Sequence, residues 1–465
     1  MLARLVRAGV DVFRLNSAHC THDQILTYAA RIRAVAQQFD RHVALMQDLA
    51  GPKIRCGHLA GNAVTLRTGR QVTLRPGAFT GDAEQIPINA PRLFRDLAPG
   101  NTILLADGTL TLKVTAATSK QATCRIVQGG LLRTHQGVNL PDLEFSGGAI
   151  TAADRKAVKS GLEAGVDFFS VSFVQSAQDM KRARRLLRSA ACRPGLIAKI
   201  ERPQALKDFD AILALSDGIM VARGDLGIES DIARVPAIQK RLIRRAKARG
   251  RFAITATQML ESMTHQPHPT RAEATDVANA VWDGSDALML SAETAVGRHP
   301  VRVVQMMARI IAAAESEETY RGAAPERTSP ITALARAAVD AAMNVGARAI
   351  LVFTESGATA ARIALQRPLL PILAATSTDA VARALAIRWG VEAFTLKPTP
   401  QAGDRIAAAE TELLERRWCR KRDRIILVTG SLPVHGLDYT IKLIALDPDH
   451  PGRFHETLVA SDMDV

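Results

Sequence analysis

G-L-I-A-K-I-E at residues 195–201 and D-G-I-M-V-A-R-G-D-L-G at residues 217–227 decide the fold. Each holds a short apolar run, 195–200 and 218–222, that reads as a buried strand, and each leaves an acidic residue just past it, Glu201 and Asp225. Carboxylates at the C-terminal tips of adjacent parallel strands are how a (β/α) barrel holds a divalent cation at its mouth. Lys199, just before Glu201, adds a compact positive charge suited to a phosphoryl group. Arg223-Gly224-Asp225 opens a turn with bare backbone amides. The pattern reads as a metal-assisted phosphoryl-transfer site.

Outward from these two segments, strand patterns at 12–16, 43–48, 167–173, 196–201, 218–223, 252–258 and 287–293 alternate with helical ones. Near-continuous apolar strands separated by helices predict a parallel sheet covered by helices. Seven of them predict an α/β fold, a (β/α)8 TIM barrel lacking its first strand. The chain opens in a helical pattern, so that strand is expected upstream of Met1, and an unclosed barrel would expose two sheet edges. Residues 56–148 have another texture. Short alternating pieces such as N-A-V-T-L-R, R-Q-V-T-L-R and T-L-T-L-K-V-T, broken by Gly, Pro, Asn and Asp, predict a small antiparallel β-barrel inserted in one loop. After a polar linker at 321–330, strands and helices alternate again, predicting an open α/β sheet. The expected units are 1–55 and 149–320 for the barrel, 56–148 for the insertion and 331–465 for the C-terminal domain.

The totals agree with a multidomain enzyme: 465 residues, 47% of them hydrophobic. No apolar stretch approaches the roughly 20 residues that span a bilayer, and the charged opening M-L-A-R-L-V-R is no signal peptide. Five scattered cysteines without a C-x-x-C predict a reducing compartment, the cytoplasm. The net charge is +14, with basic runs at 181–188, 240–251 and 416–424. These could form a nucleic-acid surface or solvated helix faces. The first two precede strands, where a βα unit expects its helix, and only 4% of residues are aromatic. Neither nucleic acid nor a membrane is the expected partner; attraction of anionic substrates is.

Six collinear blocks carry a resemblance. They are F-R-L-N (13–16), D-L-A-G-P-K-I-R (48–55), G-V-N-L-P (137–141), S-D-G-I-M-V-A-R-G-D-L-G-I-E (216–229), A-T-Q-M-L-E-S-M (256–263) and the run 268–294 ending in M-L-S-A-E-T. In order and spacing the chain resembles pyruvate kinases from residue 1 to about 320, and more loosely beyond. The resemblance implies phosphoryl transfer from phosphoenolpyruvate to ADP, giving ATP and pyruvate, in the last step of glycolysis. It implies Mg2+ on Glu201 and Asp225, with Lys199 facing the migrating phosphoryl group. Arg14 and Arg55 would clamp phosphate oxygens, and Gly224 and Asp225 would offer amides to the substrate carboxylate. Thr257 would deliver or relay a proton to the enolate carbon, through water since its hydroxyl is a poor acid, and Ser291 could share that relay. Asn16, His19 and Arg55 would lie on the nucleotide side. A homotetramer is the family's usual assembly.

Some residues depart from the family pattern. Many members use K+, held by a serine and a threonine whose positions here carry Ala18 and Leu49. Lys53 stands where G-P-E has glutamate, so its ammonium is expected to replace K+, beside Asn16 and Asp48. Gln136 replaces the lysine before G-V-N-L-P, weakening one contact to the nucleotide phosphates, while Asp107 is retained. In the C-terminal domain, T-E-S-G-A-T with Thr354, Ser356, Gly357 and Thr359 reads either as a phosphate nest for a sugar-phosphate or AMP effector or as a plain βα turn capped at Ser356. Two rival functions remain at this stage: a catalytically silent, effector-binding homologue, and another Mg2+-dependent barrel enzyme acting on pyruvate or its enol.

Overall fold

The computed structural model describes residues 1–143, 148–188, 193–316, 330–399, 401–429 and 440–447. Cys192 and nearly all of the expected linker at 321–330 lie outside them. The first two strands of the large sheet are β1 (Val12–Asn16) and β2 (Ala44–Leu49). The chain then enters the insertion: β3 (Ala63–Leu66), β4 (Gln71–Pro76), β5 (Gln85–Ile88), β6 (Thr102–Leu105), β7 (Leu110–Thr118), β8 (Gln121–Gln128), β9 (Gly130–Arg133) and β10 (Val138–Asn139). It returns through β11 (Phe168–Val171), β12 (Gly195–Ile200), β13 (Gly218–Ala222), β14 (Phe252–Ala256) and β15 (Ala287–Leu288). The sheet order β1-β2-β11-β12-β13-β14-β15 is parallel throughout, a curled sheet of TIM-barrel type.

Local chemistry starts the covering helices where the sequence places them. Capping boxes, Thr21 with Gln24, Thr151 with Asp154 and Thr270 with Glu273, satisfy the orphan amides of helices His22–Gln38, Ala152–Glu163 and Arg271–Trp282. Strand residues such as Leu45, Phe169, Leu196, Ile219 and Val221 are essentially fully buried between helices and sheet. Gly161 lets its helix lie close on that sheet, since a Cβ there would stand 1.8 Å from Gln47 Oε1.

Two expectations are corrected. The strand expected at 287–293 stops at Leu288, because Ser291 turns into the short helix Ala292–Ala295. β15 pairs only with β14 and β1 only with β2 among the described residues, and a cavity of about 1000 Å³ lined by Phe13, Met46, Ile254, Leu288 and Met307 lies beside both strands. The insertion is not purely antiparallel. Its order is β10-β6-β7-β8-β4-β5, with β4 and β5 parallel. A bridge from Arg55 to Gly137 ties its two ends together, and one from Cys56 to Ile88 joins its start to β5.

The C-terminal domain is an open sheet of β16 (Ala349–Phe353), β17 (Ile372–Thr376), β18 (Val391–Thr395), β19 (Arg424–Thr429) and β20 (Thr440–Ala445), ordered β18-β17-β16-β19-β20 with β20 antiparallel. It docks beneath the barrel. Arg383 binds Asp167 at 3.0 Å, just ahead of β11, and Arg367 donates to Ser285 O, just ahead of β15. The insertion therefore sits at the strands' C-terminal ends, where β/α barrels keep their sites.

Candidate active site

Register brings the charged residues together. Asn16 pairs with Asp48 across β1 and β2, and Ser170 of β11 pairs with Asp48 from the other side. Asp48, 2% exposed, accepts from Arg14 Nε at 2.7 Å and from Ser170 Oγ at 2.7 Å, and lies 3.4 Å from Lys199 Nζ. Burial alone would raise its carboxyl, but Lys199 and Arg14 outweigh that and hold it below the ordinary range. Lys199 Nζ stands 2.9 Å from Glu201 Oε1 and donates to Ser172 Oγ at 2.7 Å. Burial opposes its charge, yet Asp48 and Glu201 push it up to about 12.

Glu201 is 1% exposed, and its Oε2 accepts the Phe173 amide at 2.6 Å. Its carboxyl is raised, first by burial and then by the negative charge of Asp225, with Lys199 opposing. Two carboxylates that repel each other across a partly buried space invite a divalent cation. Among the described residues no cluster of three His, Cys, Asp or Glu suited to a metal is present. A pair of carboxylates with remaining positions for water and phosphate fits Mg2+, which seldom sits in an all-protein cage.

Thr257 lies past the end of β14 with φ 69°, an uncommon conformation for a β-branched residue. Its Oγ1 accepts the Gly224 amide at 2.8 Å and donates to Ala256 O at 2.6 Å. The amides beyond β13 are thus not all bare as expected. Gly224's is bound to Thr257. Arg223 fixes this corner, donating to Thr257 O at 2.7 Å and to Asp276 at 2.6 Å. Ser291 joins neither Thr257 nor Lys199; its amide binds Glu293 at 2.6 Å, and it borders the cavity beside β1 and β15.

Asn16 Oδ1 accepts the Ala18 amide, and His19 is exposed beside it. Arg55 donates to His135 O of the insertion at 3.0 Å. Lys53 is not at Asp48. It is exposed and reaches toward the insertion, its Cε 4.0 Å from where a Cβ of Gly137 would lie, with Asp107 on the same spot at 3.8 Å. In T-E-S-G-A-T, Thr354 and Thr359 are buried and Ser356 is exposed. The helix Ala358–Ala364 is capped by Gly357 at φ 79°, not by Ser356. Glu355 binds Ser377 and Arg405 there, placing a carboxylate at that loop. Sequence reading missed Ser170, Ser172 and the Phe173 amide, although S-V-S-F at a strand tip carries the signal.

Fold and site together define a β/α-barrel phosphotransferase whose strand tips gather acidic side chains around a nearly buried ammonium. Residues 1–304 match the family model "Pyruvate kinase, barrel domain", and 332–442 match "Pyruvate kinase, alpha/beta domain". A pyruvate kinase of Agrobacterium vitis is 41% identical over 92% of this chain and 90% of its own length. One from Mycobacterium tuberculosis is 37% identical over 93% and 92%. A crystal structure of a Cryptosporidium parvum pyruvate kinase superposes with a TM-score of 0.88 at 33% identity, covering 96% of this chain and 93% of that one. The chain belongs to the pyruvate kinase family.

Proposed function

We propose that this chain transfers the phosphoryl group of phosphoenolpyruvate to ADP and protonates the released enolate to pyruvate, with Mg2+ held by Glu201 and Asp225. The observation that carries the reading is Lys199, an ammonium only 12% exposed and 2.9 Å from Glu201. The cation supplies Lewis-acid stabilisation of the phosphate and enolate oxygens. The chain's own residues do the rest. Asp48 takes Nε and Nη2 of Arg14, leaving the Nη1 edge of the guanidinium for a phosphate oxygen. Lys199, held by Ser172 and Glu201, meets the charge that spreads over the moving phosphoryl group as the bond to the enol oxygen breaks and the bond to ADP forms. Thr257 stands across the mouth, and its hydroxyl hydrogen is directed at Ala256 O. It therefore passes a proton to the enolate carbon through water or after rotating. Asn16, His19 and Arg55 form the nucleotide side, under the insertion.

Lys53, at the hinge of the insertion, supplies a fixed positive charge near the nucleotide phosphates in place of K+. T-E-S-G-A-T remains the candidate effector loop, with the charge of Glu355 disfavouring a bare phosphate beside it. Among the described residues no helix is long and apolar enough to cross a membrane. A cytoplasmic homotetramer suits the family. The test is ATP formation from phosphoenolpyruvate and ADP: turnover that ceases on chelation, returns with Mg2+ and is lost in Glu201→Gln supports the reading, and wild-type rates in that variant overturn it.

A further inference from the structure

The segments that hold the cation pair also hold the insertion. Arg202 follows Glu201 directly and is fully buried. Its Nε donates to Glu229 Oε2 at 2.9 Å, and its Nη2 donates to Leu140 O at 2.9 Å and Leu143 O at 2.7 Å, in the segment that leads out of the insertion. Glu229, 5% exposed, ends the short helix Arg223–Glu229 on which Asp225 is one turn earlier. Its Oε1 accepts from Asn139 Nδ2, on β10, at 3.1 Å. The same helix meets the insertion a second time: a Cβ on Gly108, in the A-D-G turn, would stand 3.5 Å from Ile228 Cγ2.

We propose that Arg202, Glu229 and Asn139 are positioning residues that couple the seating of the insertion on the barrel to cation binding at Glu201 and Asp225. This rests on the reading of those two carboxylates as the Mg2+ pair. Arg202 and Glu229 touch no reacting group. A shift of the helix Arg223–Glu229 moves Asp225 and Glu229 together, and a shift of the turn after β12 moves Glu201 and Arg202 together. The Arg202–Glu229 pair is closed to water, so neither partner can exchange the other for solvent without opening the contact. Coupling of this kind is reciprocal: if a seated insertion tightens the cation, the cation tightens the seating by the same factor.

The experiment uses the full chain without substrates and measures Mn2+ binding by electron paramagnetic resonance, with hydrogen exchange of residues 137–143 read with and without Mg2+. Glu229→Gln should weaken Mn2+ about tenfold, the size expected for outer-shell partners of metal ligands, and should abolish the protection that Mg2+ gives to 137–143. Asn139→Ala, which strands no buried charge, should show the same two changes more weakly, and Glu229→Asp should partly restore both. Should Glu229→Gln not fold, Asn139→Ala decides. Mn2+ affinities matching the parent in folded variants, or exchange at 137–143 indifferent to Mg2+, overturn the coupling alone. Failure of the parent chain to bind Mn2+ overturns the cation reading and the coupling with it.

Discussion

Replacing Lys199 with methionine tests the site most directly, because the size of the effect follows from the geometry. At an effective dielectric near 20, the contacts at 2.9 Å to Glu201 and 3.4 Å to Asp48 are each worth about 5 kcal/mol of attraction. Desolvation and the repulsion of Arg14 cancel most of this. What survives is the rise of Lys199 from 10.5 to about 12, or about 2 kcal/mol. The folded-state value lies above the unfolded one, so this stabilisation is whole below pH 10.5 and fades as pH climbs through about 12. Lys199→Met removes it, leaving Asp48 with Arg14 alone and Glu201 buried without its cation, a loss of about 3–5 kcal/mol. Barrel melting should fall by on the order of 5–10 °C, and kcat by about a thousandfold, as when one preorganised charge leaves a transition state. Lys199→Met/Glu201→Gln removes a charge of each sign and should recover much of the stability without recovering turnover. Calorimetry and a coupled assay for ATP read the two effects separately. A single variant within about tenfold of the parent rate, or a double variant whose activity returns with its melting temperature, refutes the reasoning.

Gly51→Ala should cost about 1–2 kcal/mol and lower kcat, since Gly51 has φ +65° and a Cβ there would stand 3.0 Å from Phe173 Cδ2, beside the amide that holds Glu201; denaturant melts and the ATP assay check both. Rates in sodium-only buffer should equal those with added potassium, because Lys53 carries a permanent charge; a large stimulation by K+ contradicts that role. Lys247 is lowered from 10.5 to about 8, by burial first and by Arg367 second. The unfolded chain therefore binds more protons between these values, so stability rises with pH across that window. Lys247→Met should flatten this rise and melt higher than the parent at pH 7, as pH-resolved thermal scans would show.

Much of the fold was legible because buried parallel strands and capped helices leave strong local marks. V-F-R-L-N, A-K-I-E and I-M-V-A-R-G-D each form a strand and its charged tip as read. β8, β5 and β9 went unread: the buried face of Q-A-T-C-R-I-V-Q is only Ala122, Cys124 and Ile126, a weak apolar alternation, and the shorter two gain their identity only from cross-strand partners. One reading at the site failed for the same reason: whether an amide is bare, as at Gly224, depends on neighbours distant in sequence, as does the place where the long Lys53 side chain ends.

Backbone strain is the part of the site that residue types conceal. Phe173, Thr257 and Gln258 past the barrel strands, and Ala106, Asp107 and His135 in the insertion, all have positive φ without being glycine. Such conformations cost about 1–3 kcal/mol each and persist only where surroundings dictate them. At Phe173 the strained turn aims an amide at Glu201, at Thr257 it brings the hydroxyl onto Gly224, and at His135 it presents a carbonyl to Arg55. The Ala106–Asp107 turn leads into Gly108, which rests on Ile228. The first three each set a polar group against Glu201, Gly224 or Arg55, and the fourth seats the insertion against the helix Arg223–Glu229. A relaxed loop could connect the same elements, but it would let Glu201 and Thr257 wander by more than phosphoryl transfer tolerates, since positioning is most of what the protein contributes.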